Sequence, residues 1–193
     1  MLSPKLEQYK ALLLKWSKSL NLVAPSTLAQ ADSRHFQDST QLLKFLPEAT
    51  KIVFDLGSGA GFPGLVLATE RPDLEFHLFE SDTKKCSFLG AVSREISIPV
   101  TIHNQRIELV NRKTLPYPDV ITARALTSLV DLLKMTEFWW QQNPRLILLF
   151  PKGAQAEAEI IDAQKNYRFE IERFPSLTDK TASILKLSSV HKL

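Results

Sequence analysis

The chain is predicted to fold as an α/β protein: a seven-stranded, mostly parallel, doubly wound sheet of Rossmann-like type with an antiparallel last strand, preceded by an N-terminal helical extension. Three observations lead there. From Lys51 onward, short apolar runs alternate with amphipathic helical stretches, the pattern of a sheet covered on both faces. The first run, Ile52-Val53-Phe54, passes directly into a glycine turn with Gly57, Gly59 and Gly61. The last two runs are separated by only about eight residues, too few for a crossover helix, so they should pair antiparallel.

Composition bounds the class. With 193 residues, 44% of them hydrophobic and 23% charged, the chain can bury the core of one α/β domain and carry a small extension. The formal charge of +3 is compatible with a polyanionic partner without requiring one. A single cysteine, Cys86, excludes an internal disulfide and suits a reducing compartment. No window reaches the roughly 20 apolar residues of a membrane span. The first 19 residues hold four lysines and no signal-peptide core. The expectation is a soluble cytoplasmic protein, monomeric and without membrane contact.

The elements are read in order. Leu6, Tyr9, Leu13, Trp16 and Leu20 form an apolar stripe at helical spacing over residues 4–20, with Ser3 as cap and Pro4 in the first turn. A second helical stretch spans Ser26 to Phe45, and residues 1–48 are taken as a helical cap on a domain of residues 49–193. Strands are expected at 51–56, 75–80, 100–103, 119–123, 145–150, 169–174 and 183–190. Helices are expected at 63–70, 83–97, 126–142 and 154–165. Pro63 suits a first helical position, since its φ is already helical and its missing N–H would have had no partner there.

The turn after the first strand is the informative stretch. Residues 59–64 spell G-x-G-x-x-G, the dinucleotide pattern, but its first glycine comes late, after Gly57 and Ser58 have left the strand. Asp55 at the strand end followed by Gly57-x-Gly59-x-Gly61 is instead the S-adenosylmethionine pattern of the seven-stranded methyltransferases. Ligands of doubly wound sheets bind outside the carboxyl ends of the strands. There, Glu80 can accept two ribose hydroxyls, or merely cap the next helix. Ile107 and Glu108 follow the third strand, where an apolar side chain and neighbouring backbone could hold an adenine ring. Arg124 closes the fourth strand and can pair a ligand carboxylate bidentately, or an acid such as Asp119. Lys152 ends the fifth strand as a phosphate or base contact, or faces solvent. His35 invites a general-base role, against the commoner structural role of a lone helical histidine. No metal-ligand set and no nucleophile–base pair is found.

Together Asp55-Leu-Gly-Ser-Gly-Ala-Gly-Phe-Pro-Gly64, Glu80-Ser81 with Lys84-Lys85-Cys86, Arg106-x-Glu108, Arg124-Ala125-Leu126 and Pro151-Lys152-Gly153 resemble the small-subunit (16S) ribosomal RNA guanine-N7 methyltransferases, also called glucose-inhibited division protein B. Trp16, Asn21-Leu22 and His35-Phe-x-Asp38-Ser39 extend the likeness to the N-terminus. The resemblance implies methyl transfer from S-adenosylmethionine to N7 of a guanine, giving 7-methylguanosine during rRNA processing, with ribosomal RNA or the small subunit as partner. It implies cofactor contacts from Gly57, Phe62, Ile107, Glu108 and Arg124, alongside Asp55, Gly59 and Glu80. It places Asn21, His35 and Lys152 on the RNA-facing rim. No side chain is assigned as general base, because N7 of neutral guanine already carries a lone pair. Val23 and Thr181-Ala182 depart from the family pattern. The alternatives are a methyltransferase of the same fold acting on another RNA, a protein or a metabolite; a nicotinamide-dependent oxidoreductase; and a non-catalytic RNA-binding module.

Overall fold

A computed structural model describes residues 2–193. Seven strands form one sheet: β1 (Ile52–Leu56), β2 (Glu75–Glu80), β3 (Thr101–Asn104), β4 (Val120–Ala123), β5 (Ile147–Lys152), β6 (Tyr167–Pro175) and β7 (Ser183–Lys192). Their order across the sheet is β3-β2-β1-β4-β5-β7-β6. All pairings from β3 to β5 are parallel, and β7 runs antiparallel to both β5 and β6. The short 176–182 connection enforces that reversal.

The apolar runs are nearly continuous because the sheet is covered on both faces, and successive side chains enter opposite layers. Val53, Phe76, Val120 and Leu149 enter one core, whereas Phe54, Phe79, Ile121 and Phe150 enter the other. The first core is completed by α1 (Pro4–Trp16), α4 (Gly64–Glu70) and α5 (Thr83–Glu95). The second is completed by α6 (Leu129–Met135), α7 (Glu137–Gln142) and α8 (Ala156–Ala163). Trp139 is fully buried in that second layer. Each large apolar side chain buried this way contributes about 1.5–3 kcal/mol relative to exposure. Among the described residues no helix is long and apolar enough to cross a membrane.

Several boundaries differ from the periodicity. The first helix stops at Trp16, where the weak helix formers Ser17 and Ser19 begin a turn. The stretch expected as one helix over 26–45 is α2 (Pro25–Leu28), a π-helical turn at Asp32–Gln37, α3 (Asp38–Thr40) and a 3₁₀ turn at Gln41–Phe45. Within it the Ser39 and Thr40 hydroxyls donate to the carbonyls of His35 and Phe36, competing with the helical ladder. The wide π turn buries the adjacent His35 and Phe36 together. Pro63 precedes the first helical residue as an N-cap rather than occupying N1. The helix expected over 126–142 starts late, because Ala125 takes φ 52°. It is also divided at Thr136, whose hydroxyl donates to Leu132 O at 2.8 Å and Leu133 O at 3.2 Å.

Sequential strands run outward from β1 to β3, and the chain then returns to place β4 on the other side of β1. Such a switch point opens a crevice at the carboxyl ends of β1 and β4.

Candidate active site

The crevice is a cavity of about 820 Å³. Its lining brings together Gly57, Gly59, Phe62, Glu80, Ile107, Glu108 and Arg124, which come from the ends of four different strands, together with His35 and Lys152.

The β1–α4 turn forms its floor. Gly57 and Gly59 take φ of 67° and 57°, in the left-handed region. A Cβ on Gly57 would lie 2.6 Å from Leu126 Cδ1, whereas one on Gly59 would project into open space, its nearest neighbour Gly57 O at 3.9 Å. The backbone at Gly59 is thus bare towards the cavity. Glu80, only 9% exposed, is fixed beside it: Oε2 accepts the Gly59 N–H at 2.8 Å and Oε1 accepts the Asp82 N–H at 2.8 Å. Each oxygen keeps acceptor capacity for a further donor.

Asp55 corrects the sequence reading. It does not line the cavity; it lies fully buried beneath the turn, where Oδ1 accepts the Thr122 hydroxyl at 2.8 Å and Oδ2 accepts the Gly64 N–H at 3.2 Å. Burial pushes its carboxyl up to about 6, against the pull of the Thr122 and Ser58 hydrogen bonds. A Cβ on Gly64 would sit 2.5 Å from Asp55 Cβ, so a glycine is required for the helix to start against this acid. Asp55 holds the loop and contacts no ligand space.

Arg124 reaches the cavity but pairs with Asp38, not Asp119. Its Nη1 donates to Asp38 Oδ2 at 3.1 Å and to Arg34 O at 3.0 Å, and its Nη2 lies 3.2 Å from His35 Nδ1. The guanidinium also sits 5.2 Å from the centre of the Phe62 ring. Asp119 instead accepts the backbone N–H groups of Lys51 and Ile52.

His35 is stacked on Phe62 with ring centres 5.0 Å apart. Because Arg124 can only donate, His35 Nδ1 accepts, which places the ring proton on Nε2. That proton is given to Thr27 Oγ1 at 2.8 Å, and the Thr27 hydroxyl is given to Ala24 O at 2.8 Å. Burial, then the nearby Arg124 charge, pushes the imidazole down to about 4. Neutral and committed at both nitrogens, it has no free site for a substrate proton.

Two expected rim residues are placed otherwise. Lys152 lines the cavity, but its charge is paired: Nζ lies 2.7 Å from both Glu159 Oε2 and Thr127 O, with the side chain 8% exposed. Asn21 is exposed and does not line the cavity, although its neighbours Leu22 and Val23 do. The sequence reading missed Thr122, the partner of Asp55, and Glu159, the partner of Lys152. It also missed Tyr9, whose hydroxyl donates to Ala60 O of the glycine turn. A threonine interrupting a buried strand was the available signal for Thr122; nothing local marked Glu159.

Comparison with solved structures gives the same architecture. A Podospora anserina methyltransferase with SAH bound superposes with a TM-score of 0.67 at 10% identity, covering 97% of this chain and 88% of that one. The O-methyltransferase TomG from Streptomyces achromogenes, in complex with SAM, gives 0.62 at 10% identity, covering 98% and 91%. Fold and crevice define the class: a seven-stranded, doubly wound α/β sheet with its cavity at the switch point, the architecture of those methyltransferases. The sequence narrows it further. Residues 2–185 match the GidB family, rRNA small subunit methyltransferase G. The ribosomal RNA small subunit methyltransferase G of Rhodospirillum centenum is 45% identical over 186 residues, spanning 96% of this chain and 83% of the relative. That of Methylorubrum extorquens is 42% identical, spanning 97% and 89%. The chain belongs to this family.

Proposed function

We propose that this protein transfers a methyl group from S-adenosylmethionine to N7 of a guanine in small-subunit ribosomal RNA. The observation that carries the reading is the family match over residues 2–185, which takes in the cavity-lining loops and the N-terminal segment together.

The donor set fits the cofactor. Glu80, its oxygens pre-positioned by two backbone N–H groups, accepts the ribose hydroxyls. Gly57 and Gly59 let the backbone approach closely, Phe62 backs the loop, and Ile107 with Glu108 flanks the base. Arg124, braced by Asp38, holds the carboxylate end. When bound, S-adenosylmethionine supplies an electrophilic methyl on its sulfonium. Guanine N7 presents an in-plane lone pair, so no residue has to remove a proton before attack, in keeping with the neutral, fully engaged His35. The protein's own contribution is alignment and exclusion of water, worth up to about 7–11 kcal/mol. His35 and Lys152 shape the wall on the RNA side, while Asn21 lies on the surface that RNA would cover. Residues 1–48 act as a cap on the 49–193 domain, in a cytoplasmic monomer without membrane contact.

The test is to map N7-methylguanine in ribosomal RNA from cells with and without the protein. A modified guanine lost with the gene and restored by the purified protein plus S-adenosylmethionine is expected. Methyl label entering bulk protein instead of RNA, or thermal stabilisation by NAD rather than S-adenosylmethionine, would overturn the reading.

A further inference from the structure

We infer that the β6–β7 turn, residues 176–182, presents Leu177 as a wedge that enters the RNA base stack and holds open the place vacated by the target guanine. This rests on the RNA-methylating function proposed above.

Leu177 is 74% exposed and contributes nothing to either core, yet its neighbours Ser176, Thr178 and Asp179 face the cavity. A single exposed leucine needs no explanation elsewhere on a surface; this one does not itself line the cavity but sits between two residues that do. The turn beneath it is braced. The Leu177 N–H donates to Gln41 Oε1 at 2.8 Å, the Thr178 hydroxyl to Asp38 Oδ1 at 2.6 Å, and Arg34 Nη1 pairs with Asp179 Oδ2 at 3.0 Å. These bonds tie the turn to the same N-terminal segment that clamps Arg124. A wedge has to be stiff, because a loose loop would yield before a base stack does. The chemistry also calls for one. The edge of guanine bearing N7 faces the deep, narrow major groove of an RNA helix, which side chains do not read, so the base must leave the stack to reach the crevice. Proteins that distort stacked nucleic acid insert apolar side chains such as leucine between base steps. The exposed Lys180, three residues on, supplies a phosphate contact beside the wedge.

The experiment compares wild type, L177A and L177M as full-length proteins in single-turnover methylation of small-subunit RNA at saturating RNA and cofactor. Melting temperature and affinities for S-adenosylmethionine and RNA are measured alongside. Because unstacking a base costs a few kcal/mol, L177A is expected to be about tenfold slower or more. Its melting temperature and cofactor affinity should not change, its RNA affinity should change less than its rate, and L177M should recover most of the rate. An L177A rate equal to wild type overturns the inference, as does a loss confined to RNA affinity or an L177M as slow as L177A. Should the wild-type protein label no RNA, the functional reading itself falls, a result distinct from an indifferent L177A in an active enzyme.

Discussion

Replacing Asp55 with asparagine separates a scaffold role from a ligand role. The carboxyl is fully buried, and desolvation raises it from 3.8 to about 6. Between those values the folded protein holds more protons than the unfolded chain, so stability is greatest below the lower one and falls as pH rises through the upper. The gap between them corresponds to about 3 kcal/mol working against the folded state at pH 8. The substituted amide could keep both contacts: its oxygen accepts the Gly64 N–H, and its NH₂ donates to the Thr122 oxygen, whose hydroxyl can turn to Phe54 O at 3.3 Å. Allowing about 1 kcal/mol for poorer hydrogen-bond geometry at either pH, D55N should gain about 2 kcal/mol at pH 8 and lose up to about 1 kcal/mol at pH 4. His35 works in the opposite direction. Lowered to about 4, it adds stability that is lost as pH falls from 6.5 through 4. The two slopes oppose each other in the wild type, and D55N should expose a clear rise in stability between pH 4 and 6.5. Urea unfolding across pH 4–8 reads this, with calorimetric titration of S-adenosylmethionine alongside. A D55N protein less stable than wild type at pH 8, or binding cofactor tenfold more weakly, would refute the scaffold assignment.

The remaining predictions concern the same site. Gly64→Ala, which forces a methyl to within 2.5 Å of Asp55 Cβ, should cost about 1–3 kcal/mol or more, read as a lower urea midpoint. Lys152→Met leaves the quarter-exposed Glu159 carboxylate with only the Leu129 N–H at 2.7 Å and should cost about 1–3 kcal/mol, whereas K152M/E159Q should recover most of it; a double variant no more stable than the single would remove the pair. Because that ammonium is already neutralised, loss of Lys152 should leave the salt dependence of RNA binding nearly unchanged. Arg124→Ala should weaken S-adenosylmethionine binding by about tenfold or more, as expected for loss of a charge-assisted pair; equal calorimetric affinity would take Arg124 out of the cofactor site.

Much of this molecule was legible in its linear order. Strand positions, the glycine turn after β1, the acid closing β2 and the antiparallel closing pair all follow from short-range rules: apolar runs, left-handed turns that favour glycine, and a connection too short to cross over. Local chemistry acts on neighbours, so it survives in one dimension. Which charge meets which does not. Sequence order puts Arg124 and Lys152 at the carboxyl ends of β4 and β5, yet only the folded chain pairs Arg124 with Asp38, 86 positions away, and couples Lys152 to Glu159 on the following helix. Asp55 shows the limit most sharply. Its place in the motif suggested a ligand contact, but the strand's alternation and the β4 register turn it under the loop to Thr122. Burial, and with it the protonation of Asp55 and His35, depends on what packs above them, which no local pattern specifies.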